Sequence, residues 1–280
     1  MKTHIPDTSH TPPSVRAEST VEKVRLVEAD SEIRKLLKDR KLSNFKKYVW
    51  LTSGHSSLFR FFVLEFCTIF LSGLRGAMGI FLRQRFYPWL FESCGEGVVF
   101  GRNVTVRHPH RIRIGKNVVI DDDVVLDAKG DEDVTLSIAD GAIIGRNSIL
   151  VCKGGTIEIQ ENVNISVNCT IISETNVLIE SKTLVAGHCY IIAGGNHGMQ
   201  LNGIPFVDQP RTQKGGVLIR ENCWLGAHAT VLDGTTIGPD SVVGAAALVT
   251  RDVPEKTLVA GVPAKVVPKD SSLQSRRVAR

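Results

Sequence analysis

Aliphatic residues recur every six positions along most of the chain between residues 98 and 254. Four positions after each of them stands a small or β-branched residue, and Gly, Asp or Asn fills many of the positions between, as in IGKNVV, IGRNSI and IGPDSV. Representative pairs are Ile120/Val124, Ile144/Ser148, Ile165/Cys169, Leu225/Ala229 and Val243/Ala247. Strict alternation would predict a sandwich, and a helical spacing does not fit these positions.

A six-residue period is typical of a triangular coil. Three units make three short strands and one turn of about 18 residues, and successive turns stack at the strand spacing of roughly 4.8 Å. The aliphatic position points into a narrow prism, and the small residue lies near a corner. Internal repeats of this kind mark a solenoid. The pattern therefore predicts an all-β fold, a left-handed parallel β-helix, over residues 97–268.

The period is interrupted at several places. Small slips occur at 106–114, 150–159 and 171–179, which indicates insertions at corners. One long interruption, the excursion, covers residues 196–216 and reads NHGMQLNGIPFVDQPRTQKGG. Long loops in a regular solenoid are usually functional. The excursion is therefore the first place to look for a site.

The region before the repeat has a different character. Residues 1–19 are polar and predict a disordered tail, residues 20–41 predict a charged amphipathic helix, and the whole of 20–96 predicts a helical N-terminal segment. The apolar run 58–91 contains four arginines and a glutamate, too many charges for a membrane span. Two interpretations stay open: a helical cap on the end of the β-helix, or helices lying in the plane of a membrane.

Composition and charge limit the partners and the cellular compartment that we expect for the protein. The 280 residues carry a formal net charge of +5, part of it in a basic tail at 269–280, and they show no basic stripe with interleaved aromatics, so we expect no nucleic-acid partner. Six cysteines have no paired spacing, and three of them occupy the same inward phase of the repeat: Cys169, Cys189 and Cys223. Packed thiols and a polar N-terminus without a signal-peptide core predict a cytoplasmic protein.

The most specific motifs follow the excursion. They are a W-x-G at 224–226, TRDVP at 250–254 and AGVPAK at 260–265. With the hexapeptide repeats and the single excursion, they resemble the hexapeptide-repeat acyltransferases over residues 97–268, most closely the galactoside, maltose and polysaccharide O-acetyltransferases. GIPFVDQP at 203–210 resembles the loop of the polysaccharide-directed members.

This resemblance implies a mechanism. The family transfers an acetyl group from acetyl-CoA to a sugar hydroxyl, works as a homotrimer with each site between neighbouring β-helices, and needs no metal. A sugar hydroxyl is a weak nucleophile, so a base must take its proton, and histidine suits the task because its ordinary pKa is about 6.5. The resemblance places that base at His197 and the oxyanion-stabilising backbone N–H at Ala227. A merely exposed loop histidine is the plain alternative for His197.

The resemblance also assigns binding residues. For CoA it points to Trp224, Ala227, Ala245, Thr250, Arg251 and Lys265, the last two as cations for the phosphates. For the acceptor the candidates are Asn168, Asp208 and Arg211. A corner asparagine that relieves backbone strain, and solvated loop charges, are the competing interpretations of these three.

Other functions fit less well. Acetyl transfer to a sugar amine and a non-catalytic β-helix scaffold are the alternatives, although a scaffold would not need the base or the AGVPAK motif. A zinc hydratase on the same fold requires three converging histidines, and His188 and His197 have no evident third partner. The acceptor is expected to be a sugar or polysaccharide precursor, and the apolar N-terminal segment suggests one at the inner membrane face. A free sugar or a sugar-nucleotide amine stays open as an acceptor.

Overall fold

The three-dimensional structure is a computed structural model that describes residues 25–27, 36, 38–54, 57–130, 133–201 and 203–268. It confirms the predicted fold, a left-handed parallel β-helix preceded by short helices. The predicted tails at 1–19 and 269–280 lie outside the described residues.

Three sheets form the sides of the prism. Sheet 1 contains Ser93–Cys94, Ile112–Ile114, Leu136–Ile138, Ile157–Ile159, Val177–Ile179, Val217–Ile219 and Thr235–Ile237. Sheet 2 contains Val99–Phe100, Val119–Ile120, Ile143–Ile144, Asn164–Ile165, Leu184–Val185, Trp224–Leu225, Val242–Val243, Leu258–Ala260 and Lys265–Val266. Sheet 3 contains Thr105–Arg107, Val125–Asp127, Ile149–Cys152, Thr170–Ser173, Tyr190–Ala193, Thr230–Val231 and Leu248–Val249. All neighbours pair in parallel except the last two strands of sheet 2, which are antiparallel.

The interior follows the predicted phase. The aliphatic positions are fully buried, and the small positions beside them are equally hidden: for example Ile165, Leu225, Cys169 and Ala229 have no exposed surface. All six cysteines are free, and the three at the inward phase are buried. Burial also raises the pKa of the Cys152 thiol to about 12. These thiols therefore fill the prism.

The three corners of the prism are not equivalent. At the sheet 1–sheet 2 and sheet 2–sheet 3 corners almost every coil turns through a residue in the left-handed region, with Asn117, Asn162, Asn168 and His228 among them. At the sheet 3–sheet 1 corner the connections vary in length. The predicted slips at 106–114, 150–159 and 171–179 all fall at this corner, and so does the excursion.

In its described part beyond residue 43, the N-terminal segment contains three α-helices. Helix α1 is Asn44–Ser53, helix α2 is Leu58–Phe66 and continues as a π-helical turn over Cys67–Leu71, and helix α3 is Gly76–Phe86, followed by a 3₁₀ turn at Tyr87–Leu90. Two further 3₁₀ turns lie at Pro109–Arg111 and Phe206–Asp208.

These helices cover the open end of the prism. The Phe91 ring stacks on Phe100 of the first coil at a centroid distance of 5.6 Å, and the Tyr87 ring lies 5.3 Å from the same ring. Leu64, Cys67 and Leu71 join the same core. The helices therefore continue the hydrophobic interior beyond the last strand and hide its edge from water.

A buried arginine fastens the helices to the first coil. Arg83 of α3 is 1% exposed. Its Nε donates to the carbonyl of Phe100 at 2.9 Å, and its Nη1 donates to the carbonyls of Leu71 and Leu74 at 3.1 and 2.8 Å. One guanidinium thus satisfies both the edge of sheet 2 and the carboxyl end of the preceding helix, where carbonyls lack partners.

One sequence-based expectation differs from the structure. Within the predicted amphipathic helix at 20–41, Arg25–Val27 forms a β-strand that pairs antiparallel with Arg211–Gln213 of the excursion. The physical reason is tertiary, because the excursion offers an unpaired strand edge that a remote segment can complete. Most of the remainder of that predicted helix lies outside the described residues.

The N-terminal helices have only some of the properties of a membrane span. Within the described residues, no single helix is long and apolar enough to cross a bilayer. The pair Asn44–Ser53 and Leu58–Leu71 meets the length and composition test jointly, with a bend of 70° between its halves.

Candidate active site

Two pairs of glycines open and close the excursion. Gly194 and Gly195 precede it with φ angles of +102° and +77°, and Gly215 and Gly216 end it with +107° and +102°. Side chains rarely tolerate such angles. A Cβ on Gly216 would also collide with the carbonyl oxygen of Asn176. The glycines therefore let the chain leave the sheet 3–sheet 1 corner and return to it.

His197 stands at the base of the excursion. Asn196–His197 pairs antiparallel with Arg211–Gln213, which gives the histidine a fixed backbone. The ring is exposed, and its Nδ1 lies 3.1 Å from the carbonyl oxygen of Phe206. A carbonyl only accepts, so this contact assigns the hydrogen to Nδ1 and leaves the Nε2 lone pair facing outward. The arrangement orients a proton acceptor toward solvent.

A buried carboxylate holds both ends of the excursion together. Asp233 is 5% exposed and follows the first sheet 3 strand after the excursion. Its Oδ2 accepts from the Asn196 side-chain amide at 3.0 Å and from the backbone N–H of Lys214 at 2.7 Å, and its Oδ1 accepts from the N–H of Gly216 at 2.9 Å. Asp233 therefore fixes the residue next to His197.

A second carboxylate braces the same base from the coil before. Glu174 accepts from the backbone N–H of Gly195 at 2.9 Å and pairs with Arg211 at 3.2 Å. Its backbone carbonyl accepts from the Gln213 side chain at 3.1 Å. Arg211, predicted to bind the acceptor, is thus engaged by Glu174 and contributes to the shape of the excursion.

The tip of the excursion is organised by Gln209, which is 2% exposed. Its amide oxygen accepts from the N–H of Gln200 at 3.0 Å, and its amide nitrogen donates to the carbonyls of Gln200 and Ile204 at 2.8 and 2.9 Å. Asp208 beside it is exposed at the end of the 3₁₀ turn. Of the two predicted acceptor residues in the excursion, Asp208 is therefore the more accessible.

The other predicted residues lie along the sheet 2–sheet 3 corner. Asn168 turns there with φ +57°, and its Nδ2 lies 3.3 Å from Nε2 of His188. The His188 and His228 rings stack at 4.7 Å with an interplanar angle of 9°. Successive coils thus place Asn168, His188 and His228 in one outward-facing column.

The turn after W-x-G presents a free amide. The N–H of Ala229 donates to the carbonyl of Gly226 at 3.1 Å across Ala227 and His228, and the φ of +61° at His228 makes this a type II turn. The Ala227 carbonyl accepts from Ala246 of the next coil at 2.8 Å. Within the described residues the Ala227 N–H donates no hydrogen bond. It is therefore available to a ligand.

The predicted CoA residues are divided between the sides of the prism. Trp224 is 52% exposed on the outer face of sheet 2, and Ala245 is exposed at the sheet 2–sheet 3 corner one coil above Ala227. Lys265 is exposed in the last strand of sheet 2. Thr250 and Arg251 are exposed directly after the last strand of sheet 3, on the side of the excursion.

Two separate edges result. The strand Tyr190–Ala193 of sheet 3 lies between the His188 corner and the start of the excursion, and at about 3.3 Å per residue it separates them by roughly 15 Å. Among the described residues, no hydrogen bond or ring contact joins the excursion to the corner of Asn168 and Ala227. One chain by itself does not bring His197 beside Ala227.

Sequence reasoning missed the two carboxylates. Asp233 occupies a turn position in LDGTT, and Glu174 occupies one in SETN, where polar residues are ordinary. Their common signal is position, because each stands at the sheet 3–sheet 1 corner in a coil adjacent to the excursion. Within the described residues, no group of three or more His, Cys, Asp or Glu side chains is arranged to hold a metal ion.

Comparison with known proteins points in the same direction. Residues 216–251 match the family model "Bacterial transferase hexapeptide (six repeats)". Over 121 residues the chain is 36% identical to a putative lipopolysaccharide biosynthesis O-acetyl transferase, WbbJ, of Escherichia coli, and over 134 residues it is 30% identical to the galactoside O-acetyltransferase of that organism. These matches cover 41% and 45% of this chain. The chain spans 61% and 63% of the two relatives' lengths.

Among solved structures, this chain is similar to that of the polysialic acid O-acetyltransferase OatWY, with a TM-score of 0.49 and 24% identity over 62% of this chain and 80% of that one. The predicted resemblance rests on the matches in sequence and on the repeat itself. These matches confirm the predicted resemblance of the β-helix to the hexapeptide-repeat acyltransferases.

Proposed function

We propose that the protein is an acetyl-CoA-dependent O-acetyltransferase that acts on a sugar or polysaccharide precursor, with His197 as the general base. The observation that carries the proposal is the contact of the His197 Nδ1 with the Phe206 carbonyl at 3.1 Å. It leaves Nε2 as the basic nitrogen at the mouth of the excursion. The names of the two sequence relatives, a putative lipopolysaccharide biosynthesis O-acetyl transferase and a galactoside O-acetyltransferase, agree with this reaction.

In the proposed reaction, His197 Nε2 takes the proton of the acceptor hydroxyl as its oxygen attacks the thioester carbonyl carbon. The Ala227 N–H donates to the carbonyl oxygen as negative charge develops there, and a single donor of this kind is worth roughly 3 kcal/mol. When the C–S bond breaks, the imidazolium returns the proton to the leaving thiolate. The products are the acetyl ester and free CoA thiol, and the base is restored.

The two edges support a homotrimer. Because His197 and Ala227 lie on different edges of one prism, the proposed site forms where the excursion of one chain meets the sheet 2–sheet 3 corner of a second. The outer face of sheet 2 carries a stripe of apolar side chains that are 39–52% exposed, which suits a covered face: Ile143, Leu184, Trp224 and Leu258. A closed ring of three chains would use each edge once.

The binding roles follow from this placement. The pantetheine arm of acetyl-CoA would lie along Trp224, Ala227 and Ala245, where small residues leave room. Lys265 lies toward the carboxyl end of the same face, whereas Thr250 and Arg251 lie at the same end but on the excursion side. The cations Arg251 and Lys265 suit the phosphates. Asn168 and Asp208 would contact the acceptor, with Arg211 holding the excursion in shape through Glu174.

The acceptor and the location belong to the same proposal. A polysaccharide precursor accords with the excursion sequence GIPFVDQP and with the name of the lipopolysaccharide-related relative. We place the reaction in the cytoplasm, where acetyl-CoA and reduced cysteines are found together. An amino sugar among the acceptors tested distinguishes O-acetylation from N-acetylation.

The base is tested by measuring thiol release from acetyl-CoA with a panel of glycans. His197→Ala should lower kcat by about 10²–10⁴-fold, the usual contribution of a general base. Met199→Ala, two residues further along the excursion and 87% exposed, is the matched control and should retain activity. Unchanged turnover in His197→Ala would refute the assigned role.

Subunit mixing tests the shared site. Ala227→Pro removes the N–H, while proline suits the second position of a type II turn, so the coil should stay folded. Each single variant should be inactive. Co-expressed His197→Ala and Ala227→Pro chains should recover activity if each site takes one residue from each of two chains, whereas a site within one chain predicts no recovery.

A further inference from the structure

Helix α2 is apolar on both of its sides. Leu64, Cys67 and Leu71 are buried in the core of the coils, and Phe61 is buried against Phe45 and Tyr48 of α1. On the opposite side the large side chains are 45–76% exposed: Leu58, Phe59, Phe62, Phe66, Ile69 and Phe70. At about 100° per residue these six positions fall on one face of the helix. A helix that is apolar on all sides is normally buried on all sides. The outer face of α2 therefore lacks a partner surface in this structure.

The exposed face continues onto α3 and the turn after it. Met78, Ile80 and Phe81 of α3 are 40–67% exposed, and Trp89 is 59% exposed. Ring contacts join the two helices, from Phe70 to Phe66 at 5.3 Å, from Phe66 to Phe86 at 6.1 Å, and from Phe86 to Trp89 at 5.8 Å. The exposed side chains of α2 and Trp89 therefore form one surface, called here the aromatic face.

The helical segment that carries the aromatic face has a surplus of positive charge. Residues 44–91 contain six lysines and arginines and a single glutamate, and that glutamate, Glu65, accepts a hydrogen bond from Tyr48. Among the described residues Arg60, Arg75 and Arg85 form no ion pair. The Arg85 guanidinium lies 5.1 Å from the Trp89 ring centroid. Arg60, Phe59 and Trp89 line a cavity of about 200 Å³ at the edge of the face.

We propose that the aromatic face binds the surface of an anionic lipid bilayer, with the helices lying in the plane of the membrane. Exposed Phe, Leu and Ile with Trp and Arg at the margin are the composition of interfacial helices. The cations attract anionic headgroups, and they repel a second basic copy of the same face. Arg60, at the mouth of the cavity, meets a headgroup phosphate.

The position of the helices on the β-helix is consistent with binding to the surface of a membrane without crossing it. Val49, Thr52 and Ser53 of α1 are buried, and the Thr52 carbonyl accepts from the N–H of His108 in the coils at 3.0 Å. Helix α1 is thus fixed to the β-helix. The aromatic face lies at the amino-terminal end of the prism, and the proposed CoA residues lie toward the other end. The enzyme would stand on the membrane by its helical end.

Flotation of the full-length protein with vesicles tests the proposal. Vesicles of phosphatidylcholine with phosphatidylglycerol should carry the protein, and phosphatidylcholine alone should carry about tenfold less. The triple variant Phe62→Ser, Ile69→Ser and Phe70→Ser should lose binding by more than about tenfold. Met199→Ser with Leu201→Ser, which are 87% and 93% exposed in the excursion, is the matched control and should float like the native chain.

Charge and fluorescence give independent readouts. Arg60→Glu with Arg85→Glu should abolish the preference for anionic vesicles, while Lys116→Glu with Lys182→Glu, exposed on the coils, should not. A chain that retains only Trp89, through Trp50→Phe and Trp224→Phe, should shift its emission to the blue when anionic vesicles are added.

Three results would overturn the proposal: equal flotation of the triple variant and its control, no spectral shift of Trp89, or a change of oligomeric state in the triple variant with flotation unchanged. The last would identify the aromatic face as a contact between copies of the chain. These outcomes are independent of thiol release from acetyl-CoA, so they leave the proposed function untouched.

Discussion

The excursion and the N-terminal helices both lie outside the repeat, and both are held to it by polar side chains of opposite kind. The excursion is tied by carboxylates, Asp233 and Glu174, which accept from backbone N–H groups. The helices are tied by Arg83 and His108, which contact backbone carbonyls. The difference follows from which groups each segment leaves unpaired, N–H groups in glycine turns and carbonyls at helix ends and at a sheet edge.

The comparison also separates stability from activity. The helices close the hydrophobic core, so their anchors should govern unfolding of the whole β-helix. The excursion contributes little to that core and carries the proposed base, so its anchors should govern turnover. Four substitutions or conditions test this separation.

The largest expected effect is on the helical end. Arg83→Met should lower the free energy of unfolding by about 4 kcal/mol, because three backbone carbonyls, two of them in buried hydrogen bonds, lose a charged donor. Denaturant unfolding measures it. Arg85→Met, exposed on the same helix, should change stability by less than about 0.5 kcal/mol. Equal effects of the two variants would show that Arg83 is not the anchor.

The excursion anchor should affect activity more than stability. Asp233→Ala should lower the free energy of unfolding by about 2 kcal/mol and reduce turnover by about tenfold or more, since Asn196 and Lys214 lose their acceptor. Asp240→Ala, an exposed aspartate at another corner that accepts from Asn222, is the control and should leave turnover unchanged. Turnover of Asp233→Ala equal to that of the control would contradict the division of roles.

The helical end should also be sensitive to acid. Burial lowers the pKa of His108 to about 4. The unfolded chain binds this proton near pH 6.5 and the folded chain does not, so stability is complete above about pH 6.5 and decreases as the pH falls toward 4. Between pH 7.5 and 5 this histidine should account for about 2 kcal/mol of lost unfolding free energy.

Unfolding of His108→Gln at the same two pH values isolates this contribution. Glutamine retains a donor for the Trp50 carbonyl, which lies 2.8 Å from the histidine Nε2, and it does not titrate in this range. The pH-dependent loss should therefore be smaller by about 2 kcal/mol in the variant. An identical loss in both proteins would assign the acid sensitivity to other groups.

The smallest effect concerns the end of α1. Gly54 caps this helix with φ +67°, and a Cβ there would lie 2.5 Å from Nδ1 of His108. Gly54→Ala should cost about 1.5 kcal/mol in thermal unfolding, from backbone strain and contact with the ring. Gly73→Ala, where a Cβ meets nothing within 4 Å, should cost less than about 1 kcal/mol.

Much of the fold was predictable because the repeat is local. Each coil requires inward aliphatic residues such as Ile165 and small neighbours such as Cys169. This requirement repeats with every strand, so it is visible in the sequence as a period of six residues. The interruptions of the period likewise indicated where the connections vary in length, which is the sheet 3–sheet 1 corner. The strand at Arg25–Val27 was not predictable, since its partner Arg211–Gln213 lies nearly 190 residues away.

The sequence by itself determined the coil, the inward cysteines, the excursion and the family resemblance, because these depend on residues close together in the chain. Only the tertiary structure decided that His197 and Ala227 occupy different edges, that Asp233 and Glu174 anchor the excursion, and that α2 keeps an uncovered apolar face. These positions and contacts depend on which side of a strand or helix packs against another segment. Only the folded β-helix brings those segments, which are distant in sequence, together.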